Sequence, residues 1–169
     1  MPIHNVLEPI IDQDTRVLIL GSMPSQQSLT KQQYYGNPRN HFWPIIGEIL
    51  GSDIPNDYQL KIQLLIQHRI GLWDTIQSCE RQGSLDSTIK KIVPNDFSKI
   101  LRIYPSIRLI LFNGGKSFDV FKKYIGLDFL KDVDVDFAKM PSTSPIPGKN
   151  IKSFNEKIEE WRIIERYIL

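Results

Sequence analysis

Four short apolar runs punctuate the chain: Val17 to Leu20, Ile70 to Trp73, Leu109 to Phe112 and, more weakly, Val133 to Phe137. Each runs straight into small or polar residues, which marks buried strands rather than helices. Between them apolar positions recur at helical spacing. These stretches are Phe42 to Leu50, Tyr58 to His68 behind Asn56 and Asp57 as candidate caps, Asp96 to Tyr104 behind Pro94, and Ser117 to Tyr124. The last segment opens with Ser153 and Glu156 in the S-x-x-E capping-box arrangement and sets Phe154, Ile158, Trp161, Ile164 and Ile168 along one helical face. Strands that alternate with helices predict a mainly parallel sheet, because a parallel crossover needs a dozen or more residues and is usually helical. The expected fold is α/β, a three-layer α/β/α sandwich around a central four-stranded, mainly parallel sheet.

A length of 169 residues suits one core, and no repeat or Pro/Gly-rich linker divides it, so a single domain over 1–169 is expected. Hydrophobic residues at 41% and charged residues at 24% exclude the composition of disordered chains. The apolar runs are far shorter than the roughly 20 residues a bilayer span needs. The N-terminus MPIHNVLEPIIDQD also lacks a basic-then-apolar signal pattern, so a cytoplasmic protein without membrane contact is expected. Cys79 is the one cysteine, which excludes an internal disulfide, a thiolate zinc site and a four-cysteine iron-sulfur cluster, and it reads as a small packed residue. His4, His41 and His68 are too scattered for a metal site. No metal or cofactor is expected.

The net charge of +2 is too small to argue for a polyanionic partner, but its distribution is uneven. Thr15 to Gly47 contains no acid, only Arg16, Lys31 and Arg39, and Phe137 to Asn155 contains only Lys139, Lys149 and Lys152. If the fold brings these stretches together they form an anion-binding face. In open parallel sheets ligands bind outside the carboxyl ends of the strands. Those ends read Gly21-Ser22-Met23-Pro24-Ser25, Asp74-Thr75-Ile76-Gln77-Ser78, Asn113-Gly114-Gly115-Lys116 and Met140-Pro141-Ser142-Thr143-Ser144-Pro145. Small residues there let a backbone approach a ligand and offer N–H and hydroxyl donors, as phosphate-contacting loops do. Ordinary turn chemistry accounts for any one of these loops taken alone.

Gly21-Ser22-Met23-Pro24 followed by Tyr34-Tyr35-Gly36-Asn37-Pro38-Arg39-Asn40-His41-Phe42-Trp43 carries a resemblance. It continues through Gly71-Leu72-Trp73-Asp74, Ser78-Cys79-Glu80-Arg81, Gly83-Ser84-Leu85-Asp86, Pro94-Asn95-Asp96-Phe97, Phe112-Asn113-Gly114, Pro141 to Pro145 and Glu160-Trp161-Arg162. In this order and spacing, from about residue 16 to the C-terminus, the chain resembles the uracil-DNA glycosylase superfamily. It is most similar to the hypoxanthine-DNA (deoxyinosine) glycosylase branch.

The resemblance implies a monofunctional glycosylase that flips a deaminated deoxynucleotide out of DNA, double- or single-stranded, and hydrolyses the base–sugar bond to leave an abasic site. A monomer is expected. Extrusion costs least for a mispaired base, and Tyr35, at the family's aromatic platform, would stack on it. The alternative for Tyr34 and Tyr35 is core packing, expected of one of the two. Many members carry Asn or Asp where this chain has Met23, whose side chain cannot orient water. The branch is understood to rely on the Asn matching Asn40, which would hold water through its carbonyl oxygen, although Asn40 could instead cap the helix near Phe42. The family's His after the fourth strand is absent, so Ser142, Thr143, Ser144 and backbone N–H groups are left to contact the leaving base or phosphates. Asp74 falls where an Asn reads uracil in other branches; as a carboxylate it suits hypoxanthine N1–H, unless it caps a helix before Thr75.

Gly21, Ser22, Met23 and Asn113 complete the expected base pocket. Ser25, Arg39, Thr143, Ser144, Pro145, Ile146 and Lys149 are expected along DNA, with Ile146 and Pro147 as wedge candidates. No lysine is placed as a Schiff-base nucleophile, so lyase activity is not expected, with Lys116 a useful control. Other readings stay open at this point: uracil or xanthine as the excised base, an inactive lesion-binding module of the same fold, or a flavodoxin-like small-molecule binder.

Overall fold

The structure is a computed structural model that describes residues 1–145 and 152–168. From the N-terminus, β1 (Ile3–His4) leads to β2 (Val17–Gly21), a short α1 (Gln26–Lys31), α2 (Phe42–Leu50), α3 (Tyr58–Gln67) and β3 (Ile70–Asp74). An antiparallel pair, β4 (Ile76–Glu80) and β5 (Lys90–Pro94), precedes α4 (Phe97–Ile103), β6 (Leu109–Asn113), α5 (Gly115–Tyr124), α6 (Asp128–Asp132), β7 (Asp136–Met140) and α7 (Phe154–Trp161).

The central sheet runs β3-β2-β6-β7 with every pairing parallel, as the alternation of elements implies. Successive side chains of a strand point to opposite faces, so β2 feeds two cores. Val17 and Ile19 pack with Ile70, Leu72, Leu109 and Leu111 beneath α2 and Trp161 of α7. Leu18 and Leu20 pack with Trp73, Ile110 and Phe112 beneath Phe97 of α4 and Phe121 of α5. The result is the expected three-layer sandwich. Local chemistry ends its helices: Asp57 accepts from Leu60 N–H, Asp96 from Lys99 N–H, and Ser153 and Glu156 exchange both capping-box bonds. No helix among the described residues is long and apolar enough to cross a membrane.

Three elements depart from the expectation. The fourth strand is Asp136–Met140 rather than Val133 to Phe137, because Val133 closes α6 and Asp134 turns the chain at φ +58. As an edge strand β7 pairs on one side, and its mixed exposure blurs the apolar signal. The C-terminal helix stops at Trp161 and continues as a 3-10 turn, Arg162–Arg166, while Ile158, Trp161 and Ile164 still point inward. Finally, β1, β4 and β5 form a second, antiparallel sheet whose weakly patterned strands gave no sequence signal. Its Ile76 and Cys79, with Ile89 just before β5, form a small core with Met23 and Val120, in keeping with Cys79 as a packed residue.

Candidate active site

Strand register puts the four carboxyl ends side by side, with Gly21 opposite Asp74 and Asn113 opposite Met140. A cavity of about 540 Å³ lies at this edge. Its lining includes residues 21–28, Tyr34, Tyr35, Asn37, Asn40, Asp74, residues 84–87, Asn113 and residues 142–145. The two acid-free stretches therefore meet here, tied by His41 N–H donating to Thr143 O at 3.0 Å.

Asp74 forms the floor. It is the last residue of β3 and no helix follows it, so it is not a cap; Thr75 carries the chain directly into β4. Its side chain is 4% exposed, and Oδ2 accepts from Asn5 Nδ2 at 3.0 Å. Burial pushes the carboxyl up to about 7, opposed by the Asn5 hydrogen bond, while the Asp86 carboxylate pushes further upward and the Arg81 guanidinium pulls it down. Gly21 makes this placement possible. A Cβ there would stand 2.5 Å from Asp74 Oδ1 and 3.7 Å from the Tyr35 hydroxyl.

The tyrosines divide their labour. Tyr34 is 4% exposed and donates its hydroxyl to Glu8 O at 2.7 Å, so it is the core residue of the two. Tyr35 is half-buried at φ +55, stacks on Phe42 with ring centroids 4.0 Å apart at 18°, and lines the cavity. Burial, with the Asp74 charge adding to it, holds the Tyr35 phenol neutral far above the ordinary tyrosine range.

Asn113 is a brace. Its Nδ2 donates to the Tyr35 hydroxyl at 3.2 Å and to Thr143 Oγ1 at 2.9 Å, and its Oδ1 accepts from Thr143 N–H at 2.9 Å. Thr143 is 1% exposed and lines the cavity, with its hydroxyl oxygen and its backbone both tied to Asn113. Ser142 Oγ accepts from Ser144 N–H, and Ser142 lies close over Gly114, whose φ of +96 disfavours a side chain and where a Cβ would stand 3.1 Å from Ser142 Cβ. Ile146, Pro147 and Lys149 lie outside the described residues.

On the opposite wall, Met23 is 6% exposed and belongs to the small core under the hairpin, so its contribution to the cavity is apolar. Ser22 Oγ donates to Asp86 Oδ1 at 3.0 Å. Asp86, with Ser84 and Leu85 beside it, was missed as a site residue; its only sequence signal was the matched Gly83-Ser84-Leu85-Asp86 segment. Ser25 caps α1 by accepting from Ser28 N–H. Arg39 is exposed at the rim.

Asn40 stands at the approach to α2, beside its N-cap residue His41. Its Oδ1 accepts from Phe42 N–H at 2.9 Å, steadying the start of α2, and the residue also lines the cavity. A carbonyl oxygen has two lone pairs, so one remains for water. His41 sits at the N-cap of α2, edge-on to Phe154, with Nδ1 3.3 Å from the buried Lys157 ammonium. Burial first, then that charge, lowers its affinity for a proton. Among the described residues no group of three or more His, Cys, Asp or Glu side chains could hold a metal ion.

Residues 8–163 match the family model described as uracil DNA glycosylase superfamily. A Methanosarcina acetivorans protein named hypoxanthine DNA glycosylase is 38% identical over 159 residues, 94% of this chain and 95% of that protein. One of the same name from Methanosarcina barkeri is 44% identical over 110 residues, 64% of this chain and 70% of that protein. The solution NMR structure of a candidate uracil DNA glycosylase from Methanosarcina acetivorans superposes with a TM-score of 0.79 at 35% identity, covering 98% of this chain and 99% of that chain. The match spans nearly the whole chain, and the chain belongs to the uracil DNA glycosylase superfamily.

Proposed function

We propose that the protein is a monofunctional DNA glycosylase of base excision repair, acting as a single-domain monomer in the cytoplasm. In this reading it hydrolyses the N-glycosidic bond of a flipped deaminated deoxynucleotide, hypoxanthine foremost, and leaves an abasic site. The observation that carries the reading is the meeting, in one cavity, of an aromatic face, a buried carboxyl and an amide with a spare lone pair. It does so in a chain 38% identical to a hypoxanthine DNA glycosylase.

The flipped base stacks on Tyr35, which Phe42 backs from behind, a contact worth about 1–3 kcal/mol. Asp74 accepts hypoxanthine N1–H while ionised. As the base departs, the sugar becomes oxocarbenium-like, and Asn40 holds water near the anomeric carbon through its remaining lone pair. Asn40 orients that water without deprotonating it, so most of the rate comes from positioning and charge stabilisation. Ser142, Ser144 and backbone N–H groups contact the leaving base and adjacent phosphates, with Ser25, Arg39 and Pro145 along the DNA track.

Single-turnover release from duplexes carrying one deoxyinosine, deoxyuridine or deoxyxanthosine tests this. Hypoxanthine should be released first, and Asn40→Ala should lower the rate on the order of 10²-fold with DNA binding retained. Uracil-led or xanthine-led release would move the base preference, and no release from any lesion with abasic-site binding intact would leave a lesion-binding module.

A further inference from the structure

The N-terminal strand precedes the residues that resemble the superfamily, yet it reaches the pocket floor. β1 pairs antiparallel with β4, Ile3 opposite Cys79 and His4 opposite Ser78, and Asn5 N–H donates to Gln77 O at 2.8 Å. This pins the Asn5 backbone, and a second bond pins its amide. Leu7 N–H is a donor and lies 3.0 Å from Asn5 Oδ1, so that atom must be the oxygen, and Nδ2 must be the atom facing Asp74 Oδ2. Nδ2 also lies 3.4 Å from Ile76 O. Asp74 Oδ2 therefore faces a permanent donor, and a proton placed on it would weaken that hydrogen bond, whereas a proton on Oδ1 leaves it intact. Oδ1 overhangs Gly21 at the cavity and has no hydrogen-bond partner among the described residues.

We propose that Asn5 is a positioning residue that confines the proton of a neutral Asp74 to Oδ1, so that the pocket floor presents a bare acceptor only while Asp74 is ionised. This rests on the reading of Asp74 as the base-contacting group. Its consequence is selectivity. Hypoxanthine offers a donor at N1 where adenine offers a lone pair, so an ionised Oδ1 favours the deaminated base and repels the normal one, whereas a neutral Oδ1–H loses that distinction. Burial sets the exchange near neutrality. The other charged or titratable groups facing Asp74 are Asp86 and Arg81 from the segment joining β4 and β5, Tyr34 and Tyr35 from the loop before α2, and Tyr58 from α3.

The test follows the Asp74 carboxyl by ¹³C NMR against pH in the full chain, assigned by its loss in Asp74→Asn, beside the pH profile of single-turnover hypoxanthine release. Asn5→Ala should raise the carboxyl midpoint by about one pH unit. Asn5→Asp keeps the acceptor for Leu7 N–H and should raise it further, which guards against a simple folding defect in the alanine variant. The release profile should move with the midpoint. A midpoint that stays in place in both folded variants overturns the proposal. A midpoint that moves while the release profile stays put supports the hold of Asn5 on Asp74 and overturns the base contact of Asp74 instead.

Discussion

Two strands of the sheet end in a polar side chain at the cavity, and they are built differently. Asn113, at the end of β6, spends its amide inside the protein on Tyr35 and twice on Thr143. Asp74, at the end of β3, is held by one side-chain donor on one oxygen and leaves the other over Gly21. The first arrangement buys rigidity of the serine loop and the aromatic platform. The second leaves a buried group with chemistry still available, which is why burial acts on its protonation instead of being answered by partners.

The largest effect should come from Gly21→Ala, whose Cβ would stand 2.5 Å from Asp74 Oδ1 and force the carboxyl aside. Displacement by about 1 Å in such a site costs on the order of 10²-fold, so hypoxanthine release should fall by that factor while a melting curve changes little. Asn113→Ala should instead act on stability. Leaving Thr143 N–H and Oγ1 without their partner should cost about 2 kcal/mol in urea unfolding, with a secondary loss of activity as Tyr35 loosens.

Asp74→Asn sharpens the contrast through pH. A carboxyl raised from 3.8 unfolded to about 7 folded binds more protons in the native state between those values. Stability should therefore fall as pH rises through that window, by up to about 1.4 kcal/mol per pH unit, and the fall should vanish in Asp74→Asn. Urea unfolding of both proteins from pH 4 to pH 8 checks this, and equal slopes would mean that Asp74 does not titrate there. The smallest effect belongs to Tyr35→Phe, which keeps the stack on Phe42 and loses only the acceptor for Asn113, about 1 kcal/mol or less. Tyr35→Ala should add the loss of base stacking, visible as weaker binding of lesion DNA.

Much of this frame was legible beforehand because the signals are local. The buried runs at Val17, Ile70 and Leu109, the caps Asp57 and Ser153, and the small residues after each strand are written within a few positions of where they act. The hairpin was not legible: β4 and β5 are partly exposed, bulged and lysine-bearing, and pack through only a few apolar residues. The bonds of Thr143 to Asn113 were not legible either, because a hydroxyl in a serine-rich loop carries no sign of which way it faces. Asp86 lay in a matched segment without a role until Ser22 reached it from 64 positions away.

By itself, then, the sequence determined three strands of the parallel sheet, the main helices between them, and the family to which the chain belongs, since apolar periodicity and motif order survive without coordinates. Only the tertiary structure decided what each polar side chain at the cavity does. Asn5 meets Asp74 across 69 positions and Asn113 meets Tyr35 across 78. Whether a carboxyl or an amide is saturated or left open depends on such long-range partners, which packing brings together and no local pattern encodes.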